Sequence, residues 1–382
     1  MAFLVRRTRD VDAAEDALAE AFASALERWP RDGVPERPEA WLLTAARHRL
    51  IDAARRAAVR ERFAAPLAVA AQAAEERVWA EQPFPDERLG MLFACAHPAL
   101  DAALRAPLLL QVVLGVDARR IASAFLVAPA TMSQRLVRAK TKMRTAGIAF
   151  EVPERAHAYE RLEAVLDAIY AAFGIAWDEA GAEGATDDLA DEALFLARTV
   201  AELMPDEPEA HGLHALLLFV SSRRDARRDT QGTYVPLDEQ DPRRWSHATI
   251  DEAERVLRRA GTHAIGRFQL EAAIQSAHAA RIREGIDTWP TIVRLYDALT
   301  ARTGALGAAV GRAAAHARVH GNAAGLRILA TLDRERVATY QPYWALRAHL
   351  NGESGDYDRA IGLAHDPAAR TFLIRARGAA QR

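Results

Sequence analysis

From Ala118 to Phe150 the chain holds no acidic residue, while Arg119, Arg120, Arg135, Arg138, Lys140, Lys142 and Arg144 are all cationic. Inside this window a helical pattern breaks at Val127-Ala128-Pro129 and restarts at Ala130-Thr131. Thr131, Arg135, Arg138 and Lys142 recur at i, i+4, i+7 and i+11, which lines them up as one polar stripe on the second helix. Met132, Leu136, Ala139 and Met143 repeat that spacing one residue later, an apolar stripe turned by about 100°. One face packs while its neighbour is left for a groove, so the segment reads as a helix-turn-helix aimed at DNA. Thr131 and Ser133 fall in the first turn, where small hydroxyl side chains cap a helix and approach phosphates or base edges.

Half of the 382 residues are apolar, enough for two or three domains with cores of their own. Alanine dominates and aromatics are sparse, so the predicted fold is all-α. The total of 50 basic against 52 acidic residues conceals a division, since residues 1–150 carry 22 against 18 and the remainder 28 against 34. A nucleic-acid-facing front and a back with another task would explain it. Cys95 is the only cysteine, which excludes an intrachain disulfide and suits a reducing compartment. No apolar run reaches membrane-spanning length and no signal-peptide pattern follows Met1, so a soluble cytoplasmic protein is expected.

Asp12 to Arg28 reads as an amphipathic helix, with Ala17, Leu18, Ala21, Phe22, Ala25 and Trp29 toward a core and Asp12, Glu15, Asp16 and Glu20 outside. Three prolines and a glycine make a loop of residues 30–38. Glu39 to Arg60 resumes a helix, now basic through Arg47, Arg49, Arg55, Arg56 and Arg60. The expected domains are residues 1–62, an Ala-rich linker over 63–85 ending in Gln82-Pro83-Phe84-Pro85, a second helical domain over 86–150, and residues 153–382. Ala146-Gly147-Ile148 stops the last helix of the second domain. Helices of ten to twenty residues then alternate with breaks at residues 181–186, 204–208 and 321–322, the pattern of an antiparallel helical stack. Gly355-Asp356-Tyr357-Asp358-Arg359-Ala360-Ile361 with Asp366-Pro367 carries a tetratricopeptide hint. Ala360 and Pro367 stand too close for a full second helix between them, so that repeat reads as shortened.

Three ordered segments resemble sigma-70-type factors. Ala14-Glu15-Asp16-Ala17-Leu18-Ala19-Glu20-Ala21-Phe22 is similar to the segment by which these factors grip core RNA polymerase. Trp41-Leu42-Leu43-Thr44-Ala45-Ala46-Arg47-His48-Arg49-Leu50-Ile51-Asp52 resembles the promoter-melting helix, and Ile121 through Lys140 resembles the region-four helix-turn-helix. Two small domains with no large one between them are the layout of the extracytoplasmic-function group. Leu203 to Ala210 and Tyr340 to His349 resemble the subgroup with a tetratricopeptide-like C-terminal domain. The family has a further helix before the grip segment, for which only Met1 to Asp10 remain here, so either a truncated first helix or a misassigned start codon is expected. Ala19 stands where the family has glutamine, a change worth about 0.5–1.5 kcal/mol if one hydrogen bond is lost.

The resemblance implies core RNA polymerase and promoter DNA as partners. It assigns polymerase binding to Glu15, Asp16, Glu20 and Phe22. Minus-ten recognition falls to Arg28, Arg31, Arg37 and Trp41 around the loop, with Arg47, His48, Arg49, Arg55 and Arg56 on strand phosphates. Minus-thirty-five recognition falls to Thr131, Ser133, Gln134, Arg135 and Arg138, with Lys140, Lys142 and Arg144 on phosphates. The C-terminal domain would regulate activity, with a protein or peptide regulator as a possible further partner. No phosphate-cradling loop, nucleophile elbow or metalloprotease motif is present, and neither Cys95 with His97 nor His211 with His214 makes a full ligand set, so no enzyme, metal or cofactor is expected. The alternative is a DNA-binding regulator or adaptor whose helical repeats hold a protein or peptide. Trp245, Trp289, Trp344, Tyr340 and Tyr343 would line that groove if they are not core.

Overall fold

Helix α1 (Val11–Asp32) buries Val11, Ala14, Ala17, Ala21 and Ala25, and so small a face lets it lie close against α2 (Pro38–Arg60), whose Ala46 is wholly enclosed. The computed structural model describes residues 4, 5, 8, 11–60, 86–146, 153, 155–179 and 188–381, and the chain divides into two units, residues 1–172 and 173–382. Among the described residues the structure is helical, with no strand and one isolated antiparallel bridge, Arg228 with Tyr234. The all-α expectation holds. No helix among them is long and apolar enough to cross a membrane.

The loop expected over 30–38 is shorter than its prolines suggested. Pro30 stays inside the last turn of α1, and the turn closes by Gly33 donating to the Trp29 carbonyl at 3.0 Å with Gly33 at φ 83°. A left-handed glycine just past a helix end is the usual way to satisfy such carbonyls. Trp29 and Trp41 then meet edge to face at 5.6 Å and pin the two helix ends together. Of the expected truncated first helix, Leu4, Val5 and Thr8 are helical and Leu4 and Val5 are wholly buried. The predicted linker and the break at 181–186 lie outside the described residues.

The rest of the first unit contains α3 (Glu87–Cys95), α4 (Ala102–Val112), α5 (Ala118–Ala124) and α6 (Pro129–Thr145). Asp86, Asp101 and Asp117 cap α3, α4 and α5, each accepting from backbone N–H groups of the first turn. Leu89, Leu92, Phe93, Leu108, Leu109, Ile121, Met132 and Leu136 are all buried. Arg161 donates to the carbonyls of Phe93 at 2.9 Å and Ala94 at 3.3 Å, a cation on the end of α3 where the helix dipole is negative. Helix α7 (Leu162–Glu179) follows, and the division between units falls within it.

In the second unit α8 (Asp188–Leu203), α9 (Pro208–Ser221), α10 (His247–Ala260), α11 (Arg267–Glu284), α12 (Trp289–Thr303), α13 (Leu306–His320), α14 (Asn322–Ala330), α15 (Gln341–Asn351), α16 (Ser354–Leu363) and α17 (Pro367–Ala380) stack in chain order. The breaks predicted at 204–208 and 321–322 separate α8 from α9 and α13 from α14. Pro367, read as closing a shortened repeat, instead opens a 14-residue helix capped by Asp366. Proline at a first helical position loses no hydrogen bond, so it marked a start where a stop was expected. Buried Asp356 accepts from Arg347 Nε at 2.7 Å and Asn351 Nδ2 at 2.9 Å, tying α15 to α16. Burial alone would raise that carboxyl, and these donors hold it below the usual range.

Helix α9 is the centre of this unit, buried almost all round and packed on α8, α10 and α11. Glu209 on it caps α11 from the side, accepting from the N–H of Phe268 at 2.9 Å and Gln269 at 3.0 Å. A Cβ on Gly212 would lie 2.6 Å from the Gln269 nitrogen, so the two backbones touch where only hydrogen fits. Gly212→Ala must push α9 away from α11, and a loss of about 1–3 kcal/mol is expected in urea unfolding of the whole chain. An unchanged midpoint would show that the two helices separate without strain.

Candidate nucleic-acid interface

Helix α1 presents two outward stripes. Asp16, Glu20 and Glu27 are exposed along one, and Asp12, Glu15, Ala19, Phe22 and Leu26 follow i, i+3/i+4 spacing along the other. Phe22, expected in the core, is 49% exposed and Leu26 78% exposed. The core face is filled by Ala14, Ala17, Ala21 and Ala25, and Phe22 stands about 100° round from Ala21. The helix thus offers an acidic stripe beside an uncovered apolar patch.

At the tip of the first pair, Arg28, Arg31 and Arg37 are exposed around the loop, and Trp41 is half-buried against Trp29. Arg47 and His48 are exposed on α2. Arg49 is drawn to α1 instead, with Nε 3.5 Å from Glu20 and Nη2 3.4 Å from Ser24 Oγ, which makes it a clip between the helices. The backbone of Arg55 and Arg56 continues α2; their side chains lie outside the described part of the structure.

The segment expected to be a helix-turn-helix consists of α5 and α6 joined by a short turn. Leu126 in the turn sits at φ 54°, a left-handed conformation that costs a side-chain-bearing residue about 1–2 kcal/mol. Val127 N–H closes the turn on the Ala122 carbonyl at 3.0 Å. Met132, Leu136, Ala139 and Met143 are buried, as the spacing required. Thr131, Ser133, Gln134, Arg135, Arg138 and Lys142 are exposed. The capping role expected of Thr131 and Ser133 is not found, because the helix begins at Pro129 with Ala128 as its cap residue and no side-chain cap bond. Both hydroxyls lie inside the helix, and the first turn is left open to an outside acceptor.

The outer surface of α6 also carries two stripes. Thr131, Arg135, Arg138 and Lys142 form the first, while Ser133, Val137, Lys140 and Arg144 form the second. The second meets α1. Lys140 Nζ lies 3.1 and 2.9 Å from the two Glu15 carboxylate oxygens, and Arg144 Nη1 lies 2.7 Å from Asp12 Oδ2. One turn forward on α6 matches one turn back on α1, so the helices run antiparallel where they meet. The Lys140 pair is sheltered, with side chains 12% and 32% exposed, and the Arg144 pair is about half-exposed. Two residues assigned to phosphate therefore hold a residue assigned to polymerase and its neighbour. Sequence periodicity placed Asp12, Glu15, Lys140 and Arg144 on helix surfaces but carried no signal that those surfaces face each other.

Elsewhere the chemistry is structural. Cys95 is wholly buried, and burial pushes its thiol far above the ordinary range. His97 Nδ1 accepts from Ala99 N–H at 3.1 Å in a local turn. His211 Nε2 lies 2.9 Å from the Pro205 carbonyl, and burial pulls His214 down to about 4. Among the described residues no three His, Cys, Asp or Glu side chains converge as a metal site.

Residues 1–60 match the family model of sigma-70 region 2, and residues 161–261 match a family of unknown function, DUF6596. The uncharacterized protein R00370 of Rhizobium meliloti (strain 1021) is 38% identical over 387 aligned positions, which take in 98% of this chain and 91% of that protein. No solved structure matches the chain.

The strained turn gives a direct test of the fold around α6. Leu126 is 53% exposed, so Leu126→Gly gives up little packing. Relief of about 1–2 kcal/mol of left-handed strain, against about 0.4–1 kcal/mol of added unfolded-state entropy, leaves an expected gain of about 0.5–1 kcal/mol in chemical unfolding. Destabilisation by this change would mean that Leu126 is held by packing and not merely tolerated.

Proposed function

We propose, from the match of residues 1–60 to sigma-70 region 2, that this chain is an alternative sigma factor of the extracytoplasmic-function type, binding core RNA polymerase and directing initiation at its own promoters. The observation that carries the reading is the pairing of a region-two module at residues 1–60 with an exposed Arg135/Arg138/Lys142 ridge on a helix-turn-helix. Asp16, Glu20 and Phe22, with Leu26 beside them, supply an acidic and apolar face suited to a basic surface on the polymerase. Arg28, Arg31, Arg37 and Trp41 ring the tip where an extruded minus-ten base would stack, and Arg47 and His48 extend the path for its strand. Arg135 and Gln134 have the donors to read guanine and adenine in the major groove, while Lys142 is placed for phosphate. Bond-making would fall to the polymerase, with this chain supplying recognition. The helices of the second unit, stacked in chain order and tetratricopeptide-like in that respect, would regulate the factor through a bound partner.

The docked arrangement of α1 on α6 is then a resting form. Promoter elements centred about 25 base pairs apart are about 85 Å apart along B-DNA at 3.4 Å per step, whereas α1 is about 33 Å long at 1.5 Å per residue and touches α6. Both elements cannot be held until Lys140 lets go of Glu15. That release exposes an acidic group for polymerase and a cation for DNA in one step.

Run-off transcription with purified core polymerase tests the function. Arg135→Ala should weaken the cognate promoter by about 1–3 kcal/mol relative to others, and Lys142→Ala should weaken all promoters alike. Failure of the wild-type chain to direct any defined start would leave the adaptor reading in its place. Release is tested separately by energy transfer between dyes at exposed Ala23 and Thr141. Transfer should fall as salt rises and fall in Lys140→Glu, and the swap of Lys140→Glu with Glu15→Lys should restore it. Indifference to both salt and charge reversal would remove the ion pairs from the account.

A further inference from the structure

Four arginines lie between Ser222 and Asp229, and three have carboxylates at hand. Arg224 pairs with Asp191 at 2.8 Å, and Arg228 with Asp366 at 3.2 Å. Arg227 stacks on Trp177 at 4.8 Å within electrostatic reach of Asp178 and Asp366. Arg223 differs. It is half-buried, with its guanidinium packed among protein groups and still reached by solvent. Its Nη2 donates to Gln275 Oε1 at 2.7 Å and its guanidinium lies 6.0 Å from the Trp245 ring centre. Among the described residues no carboxylate approaches it. Burial lowers it to about 10, so it remains a cation at neutral pH.

A buried charge without a counter-ion is costly, and a fold keeps one where something else supplies the anion. The groups beside Arg223 have the same character. Tyr234 and Tyr296 are within electrostatic reach of it and Tyr340 is next to Tyr296, and among the described residues no protein group hydrogen-bonds any of these three hydroxyls. Tyr296 is set deep by Gly311 on α13, where a Cβ would come within 2.5 Å of its ring. The surroundings of Arg223 therefore offer a guanidinium fork, phenolic hydroxyls and aromatic rings, with Glu271 and Asp178 within electrostatic reach of Tyr296 and Tyr340 and not of the guanidinium.

We propose that Arg223 anchors a small-molecule site in the second unit, whose ligand is a carboxylic acid with a flat apolar body. The carboxylate takes the free edge of the guanidinium, Tyr296 donates its hydroxyl to the same group, and the body lies among the rings of Tyr234 and Tyr340. A small monoanion fits better than a polyanion, since residues 173–382 carry 26 basic against 29 acidic side chains and would repel an extended acidic partner while one enclosed cation attracts a single charge. The site is independent of whether the chain directs initiation.

Calorimetric titration of the full chain with benzoate and with indole-3-acetate tests this. At least one should bind saturably and raise the melting temperature, while benzamide and indole-3-acetamide, which lack the charge, should do neither. Arg223→Gln should weaken binding by at least about tenfold. Tyr296→Phe, which keeps the ring and the packing, should weaken it severalfold and guards against misfolding of the first variant. The proposal is overturned if neither acid binds, if the amides bind equally, or if both variants bind as the wild type does. It is also overturned if inorganic phosphate or a free-acid pentapeptide binds at Arg223 and the aromatic acids do not.

Discussion

Small residues on the inner faces of these helices set the distances from which the rest of the molecule follows. Ala14, Ala17, Ala21 and Ala25 bring α1 against α2, Gly212 brings α9 against α11, and Gly325 brings α14 onto α13, where a Cβ would stand 2.8 Å from the Ala313 carbonyl. Close helices leave no interior room for bulky or charged side chains, which are then expelled to the outer faces. Phe22 and Leu26 are uncovered for this reason, and the cations of α6 stand out because Met132, Leu136, Ala139 and Met143 already fill its inner side. Surfaces suited to partners are thus what remains after packing is complete.

Those outer charges are not idle. Lys140 and Arg144 find Glu15 and Asp12, so the same electrostatics that would draw the chain to DNA and to a basic protein surface first draws its own modules together. The contact is selective, because Arg135, Arg138 and Lys142 lie on the neighbouring stripe of α6 and stay exposed. A single helix with two cationic stripes can hold itself closed with one and keep the other ready.

Much of this was legible in the sequence, and the failures share a cause. Period alone fixed which residues of α6 are buried, where α2 begins and ends to within a residue, and where the stack breaks at 204–208 and 321–322. It places Phe22 in the core because apolar side chains fall on two adjacent stripes of α1, and bulk points to the wrong one where close approach favours the smaller face. Pro30 reads as part of a loop and Pro367 as the limit of a shortened repeat, yet proline is tolerated in the terminal turn at Pro30 and favoured at the first helical position at Pro367. The Glu15–Lys140 contact joins residues 125 apart, and periodicity says which way a side chain faces without saying what it meets. Arg223 was invisible for a related reason: an arginine in a run of four arginines reads as a solvated patch until the fold shows which of them lacks a carboxylate.

The strength of the closed form bears on how such a chain would work. Ion pairs near a protein surface contribute about 0–1 kcal/mol each, so the two together favour the closed form by about 2 kcal/mol at most. That leaves at least about 3% of molecules open, and a partner that binds only the open form has its apparent affinity reduced to that fraction, a weakening of at most about thirtyfold. Such a latch is too weak to silence the chain and strong enough to discriminate. A partner that offers cations to Glu15 and phosphates to Lys140 together recovers both halves of the broken pair, whereas DNA alone replaces only one and leaves the carboxylate without its partner. Polymerase and promoter acting jointly are therefore favoured over either alone, from nothing more than two opposite charges that prefer each other until something better arrives.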